Sequence, residues 1–139
     1  MAADDLYQGI LLDHFRNPRN RQAIEPGAES WQERNPACGD TVRLHADLGV
    51  GRLDHLVHDT HGCAISVASA SVMTGLLEGL PLAEARVRAE AFIALLKSDD
   101  ALPPDLDDRL AAVATVRKFP MRVKCALLPW VAVSKWLSR

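Results

Sequence analysis

The chain has 139 residues, 48% hydrophobic and 24% charged, with a formal net charge of −2. That is one domain's length, enough to bury a core, and it lacks the basic excess of a nucleic-acid footprint. The opening MAADDLYQG places two acidic and no basic residues before the first apolar stretch, unlike a secretory leader. Charge or proline also interrupts every apolar run before the roughly 18 residues of a membrane span. The expectation is a single cytoplasmic domain over 1–139, with no nucleic-acid partner and no membrane association.

In chain order, Tyr7, Ile10, Leu11 and His14 recur at helical spacing from about Asp4 to Phe15. That helix should end before Asn17-Pro18, because the residue ahead of proline avoids the α region. Residues 16–26 read as a polar loop. Between Thr41 and Leu48, Val42, Leu44, Ala46 and Leu48 alternate with Thr41, Arg43, His45 and Asp47, as in a half-buried strand. Gly49-Val50-Gly51 can turn the chain, and Leu53 to Thr60 can return antiparallel. A third strand around Trp31 is weakly patterned.

After Cys63 the period changes. Ile65, Ala68, Val72, Met73 and Leu76 predict a helix over about 64–78, closed by Gly79 and Pro81. Leu82, Ala85, Ala89, Ile93 and Leu96 mark a second helix. Pro103-Pro104 can start a third, through Leu106, Leu110 and Val113. A last helix is expected from Ala126 to Leu137. Pro129 would cost about 3 kcal/mol in its interior, so the expectation puts that proline in the first turn and Cys125 at the helix start. Helix, strands, then helices argue an α+β domain, with a small antiparallel sheet of about three strands and helices on one face.

Three cysteines cannot all pair within one chain, which leaves metal binding, thiol chemistry or plain burial. All three fall at expected junctions, where function commonly lives. Cys38 lies in the loop Asn35-Pro36-Ala37-Cys38-Gly39-Asp40, and Cys63 and Cys125 directly precede expected helices. A helix start favours negative charge and so raises the thiolate fraction. A hairpin brings its outer ends together, which makes Cys38 and Cys63 neighbours. Asp40 adds an oxygen donor two residues from Cys38, and Gly39 permits the tight turn. Cys38, Asp40, Cys63 and Cys125 would make a tetrahedral set for Zn²⁺. His61 is an accessory candidate two residues before Cys63, though a plain loop histidine is the blander reading. Arg122 and Lys124 could stabilise a thiolate or persulfide at Cys125, yet basic residues near a helix start are usually just exposed.

These same segments carry a resemblance. Asn35 to Asp40, Gly62-Cys63-Ala64-Ile65-Ser66 with Ala68 to Ser71, and Lys124-Cys125-Ala126-Leu127 resemble the three motifs of the NifU/IscU/SufU iron–sulfur cluster assembly family. Leu6-Tyr7 and the stretch from Asp13 to Asn20 resemble its N-terminus. Lys124 stands where IscU-like members have histidine. The Cys63–Cys125 interval is also wider than in those members, through the stretch from Ser98 to Lys118. Both features are similar to the SufU type. The resemblance implies a NifU-like fold and zinc held by Cys38, Asp40, Cys63 and Cys125. It further implies transfer of persulfide sulfur from a SufS-type cysteine desulfurase to Cys38, and from there to downstream SUF cluster-assembly components. The alternative it implies is a scaffold on which the same ligands hold a [2Fe–2S] cluster. A purely structural zinc site is the third reading.

Overall fold

The computed structural model describes residues 3–36 and 39–139. Ala37 and Cys38 therefore lie outside the described residues, as do the side chains of Ala3 and Asp4. Three strands form an antiparallel sheet in the order β1 (Trp31–Arg34), β2 (Thr41–Asp47), β3 (Asp54–His61). The alternation anticipated for the hairpin is present. Val42, Leu44 and Ala46 of β2 are buried, and so are Leu56, His58 and Thr60 of β3 on the same face. The weakly patterned segment at Trp31 is β1, paired through Trp31 with Leu44 and through Arg34 with Thr41.

The helices are α1 (Ala3–Arg16), α2 (Ala64–Leu77), α3 (Leu82–Leu96), α4 (Asp108–Ala114) and α5 (Pro120–Ser138). Helix α2 packs on β3, and α5 packs on β1 and β2, while α1, α3 and α4 lie against these two. Helix α2 is the central element, with ten of its residues buried. Its Ala and Ser side chains let neighbouring backbones approach closely. In α3 the core position near the C-terminal end belongs to Phe92, whose ring meets Trp130 of α5 at a centroid distance of 4.7 Å, and Ile93 is only partly buried.

Two helix starts differ from expectation. The third helix begins at Asp108 and not at Pro103-Pro104, because Asp107 caps it: its carboxylate accepts from the Arg109 N–H at 2.8 Å and pairs with the Arg109 guanidinium. The last helix begins at Pro120, which takes the first-turn position that tolerates a missing N–H. Cys125 is consequently in the second turn of α5 and not at its start, and it is buried. Pro129 sits in the helix interior, also against expectation. A proline there leaves the carbonyl four residues earlier without its helical donor. That carbonyl belongs to Cys125, and the Ser66 hydroxyl of α2 stands 3.2 Å from it. Ser69, one turn further along α2, donates to the Ala126 carbonyl at 2.7 Å.

His58 is fully buried on the core face of β3. Its Nε2 donates to the Arg19 carbonyl at 3.0 Å, and its Nδ1 accepts from the Thr60 hydroxyl at 2.8 Å. Burial holds this imidazole neutral and lowers its pKa to about 4. The unfolded chain takes up a proton near pH 6.5 that the folded chain refuses until about pH 4, so stability is complete above pH 6.5 and falls as the pH drops through this window. Chemical denaturation at pH 7 and at pH 4.5 should differ by roughly 3 kcal/mol at most from this group. His58→Gln should flatten the dependence, and an unchanged pH profile in that variant would exclude His58 as its source.

Candidate metal centre

The β2–β3 ladder sets the site. Thr41 pairs with His61, so the residues just outside the pair, Asp40 and Gly62-Cys63, meet at the sheet's end. The entering loop is closed by Gly39 N–H donating to the Asn35 carbonyl and Asn35 N–H donating to the Asp40 carbonyl, each at 2.8 Å. Asp40 continues the inward parity of Val42 and is buried. Its Oδ1 accepts from the Cys63 N–H at 3.2 Å and its Oδ2 from the Ser66 hydroxyl at 2.6 Å.

Cys63 is the N-cap of α2, and its own side chain makes no capping bond. Asp40 takes that part from another segment. Its carboxylate accepts from donors at the helix start, where the positive end of the macrodipole also offsets its charge. The arrangement requires glycine at 62. Its φ is +148°, and a Cβ built on it would collide with the Asp40 carboxylate.

Cys125 reaches the same point from α5. The ligand atoms of Asp40, Cys63 and Cys125 all lie within 4.8 Å of one another, the cluster of this kind among the described residues. Donors on a single tetrahedral ion stand roughly 3.5–3.8 Å apart, given bonds of about 2.0–2.3 Å. Two soft sulfurs and a hard oxygen, largely withdrawn from water, therefore suit one borderline cation such as zinc. Cys38, the fourth expected ligand, lies outside the described residues.

The accessory candidates fall elsewhere. His61 is exposed on the opposite face of β3 from Thr60, and its Nε2 lies 2.9 Å from the Asp59 carboxylate. Arg122 is exposed in the first turn of α5. Lys124 is exposed too, and it lines a shallow groove with Glu33, Arg34, Asn35 and Pro36, beside the loop that leads to Cys38. Ser66 is a further residue of the site, beyond those expected from the sequence. Its signal was the Cys63-x-x-Ser66 spacing, which sets a hydroxyl one helical turn from an N-cap thiol.

Gly62→Ala should displace Asp40. The expected result is a destabilisation of about 2 kcal/mol in the metal-free protein and weaker metal-ion binding by chelator competition. Unchanged binding in a folded Gly62→Ala variant would mean that Asp40 is not held as described.

A family model for the NifU-like N-terminal domain matches residues 6–126. The chain is 34% identical over 139 residues to the zinc-dependent sulfurtransferase SufU of Bacillus subtilis, covering 98% of this chain and 92% of that protein. It is 30% identical to the iron-sulfur cluster assembly scaffold protein IscU of Streptococcus pyogenes, covering 96% and 84% respectively. A crystal structure from Fervidobacterium islandicum, of a candidate cluster assembly scaffold for the SUF system, superposes with a TM-score of 0.79 at 25% identity and covers 98% of this chain and 99% of that one. The chain is thus a member of the NifU-like family of iron–sulfur cluster assembly proteins.

Proposed function

We propose that this protein is a zinc-dependent sulfur acceptor of iron–sulfur cluster biogenesis, loaded by a SufS-type cysteine desulfurase and unloaded to downstream SUF components. The observation that carries the reading is the mutual approach of the Asp40, Cys63 and Cys125 donors within 4.8 Å. Donors gathered this closely can converge on a common metal, and the SufU relative is named as zinc-dependent. Cys38, Asp40, Cys63 and Cys125 would hold the zinc, which keeps bound thiolates ionised at neutral pH and protected until a partner docks.

The chain's own residues account for the transfer. Cys38 is the nucleophile in this reading, since it neighbours Gly39 in sequence, whereas Cys63 caps α2 and Cys125 is buried within α5. Its thiolate attacks the outer sulfur of the desulfurase persulfide. A new sulfur–sulfur bond forms at Cys38, the donor's own bond breaks, and the electron pair leaves on the donor cysteine as thiolate. No net oxidant is needed. Lys124, which lines a groove with Asn35 and Pro36, would offset charge on the persulfide that results. The surroundings suit a protein partner. An apolar groove lined by Leu12, Phe15 and Ile65 opens beside the start of α2, and Phe119 and Met121 stand exposed ahead of Cys125.

The scaffold reading has its own support in the similarity to a protein named an IscU scaffold over 96% of this chain. Asp40 would make a cluster labile, because a carboxylate is a hard ligand for it. Purified protein distinguishes the two. Sulfur transfer predicts about one zinc per chain, faster sulfide release when a cysteine desulfurase and cysteine are added, and loss of that acceleration in Cys38→Ala. A brown protein with bound iron and visible absorbance would overturn it in favour of the scaffold.

A further inference from the structure

Ser66 is fully buried in the first turn of α2, and its hydroxyl contacts all three ligand-bearing segments among the described residues. It donates to Asp40 Oδ2 at 2.6 Å, lies 3.6 Å from Cys63 Sγ, and stands 3.2 Å from the Cys125 carbonyl. A hydroxyl has one proton to give. The charged carboxylate, at the shorter distance, is the stronger of its two acceptors. The Cys125 carbonyl is available to it because Pro129 supplies no helical donor.

We propose that Ser66 is a positioning residue for the metal centre: it fixes the Asp40 carboxylate in its ligand orientation beside the backbone that carries Cys125. The inference rests on the cluster being a metal site. Asp40 alone could turn about its side-chain bonds. With Oδ2 held by Ser66 and Oδ1 against the Cys63 N–H, the carboxylate is fixed at both oxygens, with a donor atom within 4.8 Å of both sulfurs. Outer hydrogen-bond partners of this kind typically change metal affinity by about 10–100-fold when removed.

The fold contains its own control. Ser69 is equally buried on α2, donates to the Ala126 carbonyl of α5 at 2.7 Å and accepts from Trp130 Nε1 at 3.0 Å. It makes the same kind of interhelical tie as Ser66 and has no hydrogen bond to Asp40, Cys63 or Cys125.

The test measures zinc affinity by chelator competition in the wild type, Ser66→Ala, Ser69→Ala, Asp40→Ala and the Asp40→Ala/Ser66→Ala double variant, with melting curves alongside. Ser66→Ala should weaken zinc by about 10–100-fold. Ser69→Ala should lower the melting temperature yet keep zinc affinity within about twofold, and the double variant should bind no more weakly than Asp40→Ala alone. Equal losses in the two serine variants, wild-type affinity in Ser66→Ala, or additive losses in the double variant would each overturn the assignment. Failure of the wild type to bind zinc is a separate result, and it overturns the metal reading on which the assignment rests.

Discussion

A buried carboxylate is costly, and the placement of Asp40 is the constraint around which this fold's functional end is arranged. Its charge is met by the Cys63 N–H, by the Ser66 hydroxyl and by the start of a helix, all presented by one turn of α2. Glycine at 62 follows from the same constraint, since any side chain there would occupy the carboxylate's space. The sheet matters to the site chiefly as the device that delivers Asp40 and Cys63 to one end through the pairing of Thr41 with His61.

Helix α5 completes the arrangement by an indirect route. Pro129 removes a donor from the interior of a 19-residue helix, and the freed carbonyl is that of Cys125. Ser66 meets this carbonyl, and Ser69 meets the next one. The site and the α2–α5 interface thus share hydroxyl groups, so the packing that buries Trp130 also sets where the Cys125 sulfur stands. A ligand held by such a rigid helix pair contrasts with Asp40, which enters from a loop and depends on hydrogen bonds for its orientation.

Much of this was legible in the amino-acid pattern. The alternation from Val42 to Leu48 revealed β2, and the change of period after Cys63 revealed α2. Hairpin logic then brought the loop holding Asp40 next to Cys63. What stayed hidden was governed by contacts distant in sequence. Pro129 was read by its local cost, which displaced the expected start of α5 to Ala126. The carbonyl that loses its donor instead faces Ser66, 59 residues away. Cys125 was accordingly expected at a helix start, whereas it is buried in the second turn. Asp107 overrode the proline pair at 103–104 because a side-chain cap with its own arginine partner is the stronger start signal. The burial of His58 was invisible for a related reason: Thr60 and the Arg19 carbonyl make an inward imidazole tolerable, and the second of these lies 39 residues away.

The relatives place the chain in a family whose members are named both for zinc-dependent sulfur transfer and for cluster scaffolding. The two roles differ in how many metal centres the ligands serve, and the close approach of the Asp40, Cys63 and Cys125 donors bears on that number. X-ray absorption at the zinc edge of the purified protein tests this most directly. The account predicts a four-coordinate ion with three sulfur neighbours near 2.3 Å and one oxygen near 2.0–2.2 Å. A shell dominated by nitrogen and oxygen, or an iron signal with a short metal–metal distance in place of zinc, would contradict it.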